Sequence, residues 1–330
     1  MGDVQSESFR GPGHLDGGNT IRAEVAIVIV TYNSEAEIGK CLRSVFAQQD
    51  SVRQRIIVLD NASTDSTVTV LREEFPDVEL IESKTNLGFA AGVNLAASRA
   101  EAEYLLLLNP DTIILDHAVD TIFEFARKNP AHGIYGGRIV NSDGSTDPMS
   151  CWGQPSLWSM ASFALGLTTL FRHNAFFDPE SLGSWQRDTI REVGAITGCF
   201  LLANAELWRR LDGLDERYFM YGEDVDFARR ALSLGFRPIL CPEARLLHEG
   251  GRSSSTTAHK TLLLYRGKAH LVCTHWHGVA RRVGLIFLVA GVGLRALLAK
   301  PFSARRTREA YERWGAVWME RRHWVRGYAP

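Results

Sequence analysis

Four consecutive leucines, Leu105 to Leu108, run directly into Asn109-Pro110-Asp111, and the apolar run then resumes. Such a run is typical of a strand buried on both faces. Proline cannot donate to a sheet ladder, so the strand must end at this tripeptide. Asp111 therefore stands at the carboxyl end of a buried strand, which is the edge where open α/β sheets bind ligands. A surface turn built on Asn-Pro-Asp is the alternative.

Two earlier apolar runs end in the same way. Residues 25–30 lead to Thr31-Tyr32-Asn33, and residues 55–59 lead to Asp60-Asn61. Helix-like segments follow these runs at 35–48, 66–75 and 90–100, and Ser34 with Glu37 predicts a capping box for the first of them. The alternation predicts an α/β fold with a doubly wound, mostly parallel sheet. No G-x-G-x-x-G follows the first run, which argues against a nicotinamide-dependent dehydrogenase.

Charge and cysteine content divide the chain and suggest its compartment. The net charge is −1, but residues 252–330 carry 15 Lys and Arg against 3 Glu, a charge of +12, which leaves −13 for the rest. Five cysteines without a C-x-x-C pair predict free buried thiols in a reducing compartment. We expect a disordered leader at 1–24 without a secretory signal, a folded α/β domain at 25–255 and a basic helical region at 256–330.

A second polar stretch combines three carboxylates with a glycine. Glu223, Asp224 and Asp226 follow Gly222 and precede a helix-like run at 227–234. A helix N-terminus favours negative charge, so these side chains could serve either chemistry or N-terminal capping. Strand-like residues 236–241 and 244–247 then lead to His248, and a lone histidine in such a place is more often structural than a ligand.

Together these stretches resemble the family 2 glycosyltransferases with a GT-A fold. The resemblance is strongest to the bacterial rhamnosyltransferase-like branch, which assembles cell-wall and surface polysaccharides. It covers about residues 25–253 in family order. The matching segments are 29–33, 58–65, 86–89, 109–111, 197–198, 221–226 and His248.

The resemblance implies a donor site for a nucleotide sugar. Asp60 would accept the pyrimidine N3–H, and Asn109 takes the place of the first aspartate of the usual Asp-x-Asp. Asp111 would then be the one carboxylate that holds a divalent ion, Mg²⁺ or Mn²⁺, with His248 completing the shell. The residues that the resemblance assigns to the donor are Thr31, Tyr32, Asn33, Asp60, Asn61, Asn86, Gly88 and Asn109.

The resemblance also implies an inverting reaction at an acceptor hydroxyl. Asp224 matches the general base, and Asp226 is the reserve. Gly198, Glu223, Asp226, Arg252 and Arg266 would bind the acceptor, with Lys260 and Lys268 adding charge. The leading substrates are dTDP-rhamnose and a lipid-linked or polysaccharide acceptor. A polyprenyl phosphate sugar synthase and a nucleotide-sugar-binding protein without turnover are the alternatives.

The basic region contains the most apolar stretch of the chain, residues 283–298. Its 16 residues include Arg295 and fall short of the roughly 20 that a spanning helix needs. Flanking arginines and tryptophans predict an interfacial segment on the anionic inner leaflet, and helices packed on the catalytic domain are the alternative. No nucleic-acid reader module is present in the sequence. We expect a cytoplasmic, peripheral membrane protein, and the sequence leaves its oligomeric state open. The aromatic-rich segment 151–190 is either a cover on the core or a mobile segment on the acceptor side.

Overall fold

The computed structural model describes residues 23–48, 51–248, 257–299 and 305–328. The strands are β1 (Ala23–Thr31), β2 (Gln54–Asp60), β3 (Glu79–Glu82), β4 (Ala102–Leu108), β5 (Thr112–Ile114), β6 (Ile134–Val140), β7 (Cys151–Trp152), β8 (Arg191–Glu192), β9 (Ala195–Ile196), β10 (Phe200–Asn204) and β11 (Ile239–His248). The helices are α1 (Ile38–Phe46), α2 (Thr67–Glu74), α3 (Phe89–Ala97), α4 (Ala118–Lys128), α5 (Leu157–Ala164), α6 (Leu167–Leu170), α7 (Ala205–Arg210), α8 (Glu223–Ser233), α9 (Thr257–His275), α10 (Gly278–Leu298), α11 (Arg305–Met319) and α12 (Arg321–Trp324).

A central sheet organises residues 23–248, with its strands in the order β3-β2-β1-β4-β10-β6-β11-β5. Strands β1 to β4 are mutually parallel, as are β6 and β11, whereas β10 runs antiparallel to both of its neighbours. The predicted α/β class with a mostly parallel sheet is therefore confirmed. Because β10 is antiparallel, its beginning lies at the same edge as the carboxyl ends of β1, β2 and β4.

Helices cover the sheet on both faces. The side chains of Leu106 and Leu108 join the hydrophobic core under α1, α2 and α4. Leu105 and Leu107 join the core under α3, α7 and α8 on the other face. The four leucines are thus buried on both sides of the sheet, as their unbroken apolar run predicts.

Local expectations differ from the structure at three places. Helix α1 begins at Ile38, and the Ser34 hydroxyl contacts the Tyr32 carbonyl, so the predicted capping box is wrong. The strand-like runs after residue 235 form one strand, β11, whose register shifts between Cys241 and Arg245. Strand β1 begins at Ala23, two residues before the predicted domain boundary, and the rest of the predicted leader lies outside the described residues.

The C-terminal helices pack on α5 around a third hydrophobic cluster that includes Tyr265, Leu288 and Trp324. Within segment 151–190, α5 packs on α10, and Arg295 of α10 donates to the Phe163 carbonyl. In the ranges given above, none of the helices is long and apolar enough to span a bilayer. All five cysteines are free thiols; four are buried as predicted, and Cys273 is half-buried.

Candidate active site

Asp60 lies buried at the carboxyl end of β2 and is fixed by three hydrogen bonds. Its Oδ1 accepts from Thr31 Oγ1 (3.1 Å) and Ser63 Oγ (2.5 Å), and its Oδ2 accepts from the Ser63 amide (2.9 Å). The carboxylate is thus held in one orientation. Thr31 itself is buried, and its hydroxyl is one of the groups that position Asp60; its role in a nucleotide pocket stays a prediction.

Tyr32 and Asn33 follow β1 at the same edge. The Tyr32 ring is about two-fifths exposed, so it is free to contact a ligand. Asn33 has a left-handed backbone, and its Oδ1 accepts from the Thr64 amide at 2.8 Å while its own amide donates to Ser63 Oγ. Ser63 thus connects the loops after β1 and β2, a role that sequence reasoning did not assign to it.

Asn61 positions the loop before α3. Its Oδ1 accepts from the Leu87 amide (2.7 Å), and its Nδ2 donates to the Gly88 carbonyl (2.9 Å). Asn61 thus positions the loop that carries Gly88, and its direct role in donor binding stays a prediction. Gly88 adopts a φ of +82°, and a Cβ there would lie 2.5 Å from the Phe219 carbonyl oxygen. Asn86 supports the turn by accepting from the Gly88 amide.

Asp111 and His248 are brought together from different parts of the chain. His248 ends β11 opposite Thr112 of β5, and its Nε2 lies 3.3 Å from Asp111 Oδ2. Burial lowers the pKa of His248, but the hydrogen bond and negative charge of Asp111 outweigh it and raise that pKa overall.

The Asp111–His248 pair fits a divalent ion that a diphosphate also binds. Neighbouring ligands of an ion with bonds near 2.1 Å are roughly 3 Å apart, close to the observed separation. Among the residues that the structure describes, no group of three or more His, Cys, Asp or Glu side chains could hold a metal. Ligands from outside the protein would therefore have to complete the shell.

Asp224 is linked to the turn before Asp111 by hydrogen bonds to the residues that precede β10. The Asn109 amide donates to the Cys199 carbonyl (3.2 Å), which places the turn before Asp111 beside Gly198. The Gly198 amide then donates to Asp224 Oδ2 (3.2 Å), and the Val225 amide donates to Oδ1 (2.8 Å). Burial raises the pKa of Asp224, an effect that these amides partly offset. Gly198 thus holds the predicted base in place, a contact that its predicted acceptor role did not include.

Glu223 begins α8 beside Asp224 and is almost fully buried. Its Oε2 has no hydrogen-bond partner among the described residues. Burial, followed by the nearby charge of Asp224, raises the pKa of Glu223 to about 8. A raised pKa favours the protonated form of Glu223, which reduces the negative charge beside Asp224.

Asp226 points away from the site. It has no exposed surface, and its carboxylate accepts from Arg230 Nε (2.7 Å) and pairs with His275 Nε2 (2.6 Å). The predictions that Asp226 binds acceptor or serves as a reserve base are therefore not supported by its position. By pairing with Asp226, His275 ties α9 to α8.

The cations predicted to attract an acceptor diphosphate are mostly engaged. Arg266 donates to a backbone carbonyl near the C-terminus and lies over the Tyr328 ring, which argues against its predicted role at the acceptor. Lys268 pairs with Glu180 at 2.7 Å. Arg252 lies outside the described residues.

Comparison with known proteins finds a matching family model and several similar proteins. Residues 26–181 match the model of the family Glycosyl transferase family 2. The N-acetylglucosaminyl-diphospho-decaprenol L-rhamnosyltransferase of Mycobacterium tuberculosis is 28% identical over 303 residues, which cover 86% of this chain and 94% of that protein. The O-antigen biosynthesis protein RfbC of Myxococcus xanthus is 24% identical over 242 residues, which cover 70% of this chain and 18% of the relative.

Two solved structures share the fold. The mannosyltransferase PcManGT from Pyrobaculum calidifontis, in complex with GDP-Man and Mn²⁺, has a TM-score of 0.57 at 16% identity, covering 95% of this chain and 91% of that one. GalNAc-T7 with UDP, GalNAc and Mn²⁺ has a TM-score of 0.57 at 13% identity, covering 89% of this chain and 55% of that one. At such identities the similarity concerns the fold alone.

Proposed function

We propose that this chain, whose residues 26–181 match the model of Glycosyl transferase family 2, moves rhamnose from dTDP-rhamnose to a lipid-linked sugar by an inverting, metal-dependent reaction. The observation that carries this proposal is a set of hydrogen bonds that links the turn before Asp111 to a second carboxylate, Asp224. Asp111, paired with His248, lies on the donor side, and Asp224 is held by the amide of Gly198, next to the residue that pairs with Asn109. A binding protein without turnover would have no need of the second carboxylate.

In this proposal each side of the site has a separate task. Asp60 and Tyr32 contact the nucleobase, while Asp111 and His248 hold the divalent ion. When bound there, such an ion would supply charge neutralisation for the diphosphate leaving group. Asp224 accepts the proton of the acceptor hydroxyl as that oxygen attacks the anomeric carbon from the face opposite the diphosphate, so the configuration inverts.

The acceptor class is proposed from the name of the mycobacterial relative. The mycobacterial relative is named for an acceptor in which a polyprenol carries a sugar through a diphosphate. We extend this acceptor class to the present chain, with a cell-wall or surface glycan as the end product. A lipid-linked acceptor also explains why an enzyme of this kind would work at a membrane surface.

Product analysis tests the proposal. We expect that dTDP-rhamnose, a polyprenyl diphosphate N-acetylglucosamine and Mn²⁺ or Mg²⁺ give a lipid heavier by one deoxyhexose. Its NMR spectrum should show a new sugar–sugar bond with the anomeric configuration opposite to that of the donor. A product in which the sugar is joined to a polyprenyl phosphate would contradict the proposal in favour of a polyprenyl phosphate sugar synthase. Donor binding without metal dependence or turnover would instead indicate a binding protein.

We also propose that α10, with the neighbouring α6, rests on the inner membrane surface. One face of α10 packs on the C-terminal cluster through Leu288 and Val292, yet Ile286 and Leu297 on the opposite face are about three-fifths exposed. A helix that is apolar all round needs a second apolar partner. Arg295 lies inside this apolar run, and its guanidinium is satisfied by hydrogen bonds to α5 and α6.

The surface around α6 adds further apolar and basic groups. Its exposed apolar residues are Leu165, Leu170, Phe171 and Phe176. The exposed cations near α6 and α10 in the sequence are Arg172, Arg281 and Arg282.

Vesicle flotation tests this membrane proposal. We expect Ile286→Glu combined with Leu297→Glu to lower the fraction of protein that floats with anionic vesicles by about tenfold or more, because burying each charge at the interface opposes binding. Leu95→Glu in α3 is the matched control, since Leu95 is an exposed leucine on the catalytic part. Equal flotation of the double variant and the wild type would contradict the proposal. Binding to neutral vesicles should be weaker than to anionic ones.

A further inference from the structure

The five residues before α8, which we call the base loop (Tyr218–Gly222), have a constrained backbone. Tyr221 has a φ of +69° and Gly222 a φ of +104°. A left-handed conformation is costly for a residue with a large side chain, and it persists only where the surroundings enforce it. The loop leads directly into Glu223 and Asp224, so whatever enforces its conformation also places the base.

Helix α9 supplies one of these constraints. A Cβ at Gly267 would lie 2.0 Å from the Tyr221 carbonyl oxygen, so the backbone of α9 rests directly on the loop. Only glycine permits this approach. The same face of α9 carries His270, whose ring lies edge-on to Tyr218 with centroids 4.7 Å apart.

The C-terminus supplies a second constraint. Tyr328 donates its hydroxyl proton to the Met220 carbonyl at 2.8 Å, and its amide donates to Nδ1 of His270 at 3.1 Å. Arg266 fixes this end of the chain by donating to the Gly327 carbonyl (3.0 Å), and its guanidinium lies 4.6 Å from the centre of the Tyr328 ring. Tyr328 is thus tied to α9 and reaches the base loop from there.

The opposite side of the loop touches the donor site. The Phe89 amide donates to the Phe219 carbonyl at 2.8 Å, where Gly88 makes its close approach. Within the loop, Phe219 therefore faces the donor side, Met220 faces Tyr328, and Tyr221 faces Gly267. These contacts leave little freedom for the segment that joins the donor side to Asp224.

We propose that Gly267 and Tyr328 form a C-terminal clamp that holds the base loop and thereby positions Asp224 for proton transfer. The clamp makes the helical C-terminal region part of the catalytic apparatus as well as a membrane contact. The inference rests on the proposed function in one respect, the role of Asp224 as base. Gly267 and Tyr328 are positioning residues, since they act through the loop.

Two substitutions in the full-length chain test the clamp. Gly267→Ala forces the loop away from α9, and Tyr328→Phe removes one hydroxyl and keeps the ring. We expect kcat to fall about tenfold or more for Gly267→Ala and about threefold for Tyr328→Phe, because a base displaced by a fraction of an ångström loses much of its effect. The KM for the donor should change by less than about threefold, since Asp60 and Asp111 are attached to other strands.

Controls separate positioning from loss of stability. A Cβ at Gly284 would lie 2.5 Å from Trp276, so Gly284→Ala disturbs the C-terminal helices without contacting the base loop. Gly315→Ala, which introduces a Cβ into open space, is the matched control for Gly267→Ala. Tyr311→Phe, which changes an exposed tyrosine, is the matched control for Tyr328→Phe. We expect Gly284→Ala to lower Tm while the kcat of the folded protein stays within about twofold of the wild type.

Amide hydrogen exchange provides a readout that does not depend on turnover. We expect faster exchange in residues 218–224 for Gly267→Ala and Tyr328→Phe, and unchanged exchange there for Gly284→Ala. If the wild type fails to transfer sugar, the proposed function is wrong, and exchange alone decides whether the clamp exists. Unchanged exchange in both variants, or an equal loss of kcat in Gly284→Ala, would overturn the clamp.

Discussion

Asp224→Asn is expected to lower kcat by about 10² to 10⁴ while dTDP and metal bind as in the wild type. The asparagine keeps the volume of the side chain and can accept one of the two hydrogen bonds from Gly198 and Val225, but it cannot take a proton. Steady-state kinetics with the substrates proposed above gives kcat. Calorimetry with dTDP and Mn²⁺ shows whether the donor side is intact.

Asp226→Asn is the matched control, because it makes the same chemical change two residues along α8. Asp226 faces Arg230 and His275 in the interior, so its loss should appear mainly as a lower Tm, while the kcat of the folded protein stays within about threefold. The reverse order of effects would identify Asp226 as the base. The wild type should also lose kcat as pH falls through the raised pKa of Asp224, since only the ionised carboxylate accepts a proton.

The different fates of Asp224 and Asp226 follow from helix geometry. Successive residues of an α-helix are 100° apart, so residues i and i+2, such as Asp224 and Asp226, point in nearly opposite directions. The sequence shows three neighbouring carboxylates but does not show which direction faces the sheet edge. That direction depends on His275, which lies 49 positions away and approaches from α9.

The residues on the donor side are easier to predict from the sequence, because the strands fix their positions. The runs before Thr31, Asp60 and Asn109 are apolar and end in polar residues, and parallel strands place such ends at one edge. Even there, the sequence does not distinguish a ligand-facing side chain from a supporting one. Thr31 and Asn61 turned out to support Asp60 and Gly88, because their short polar side chains reach backbone or carboxylate atoms across a loop.

The contacts of the C-terminal region are the part of the structure that the sequence predicts least. Its composition predicts helices and an apolar surface, and the structure has both. Nothing in the local pattern around Gly267 or Tyr328 indicates that these residues touch a loop more than 40 positions earlier. Their role depends on how α9 is placed against α8, which is a property of the folded chain.

Asp111→Asn is expected to remove most of the metal-dependent part of nucleotide affinity. Asp111 and His248 are the two protein groups that the geometry offers to a divalent ion, and a neutral amide is a much weaker ligand than a carboxylate. We expect Mn²⁺ to strengthen dTDP binding to the wild type by at least about a hundredfold, and to the variant by less than about threefold. Calorimetric titration of dTDP with and without Mn²⁺ measures both values.

Asp116→Asn is the control for Asp111→Asn. Asp116 is exposed, and its ion pair with Arg245 contributes little, so the metal effect on dTDP binding should remain that of the wild type. A pair of protein ligands also predicts that Mn²⁺ alone binds weakly, because oxygens of the diphosphate must complete the shell. Tight binding of Mn²⁺ without nucleotide, or an unchanged metal effect in Asp111→Asn, would show that the ion is held elsewhere. The donor side would then have to be reassigned, whereas the role of Asp224 would stand on its own kinetics.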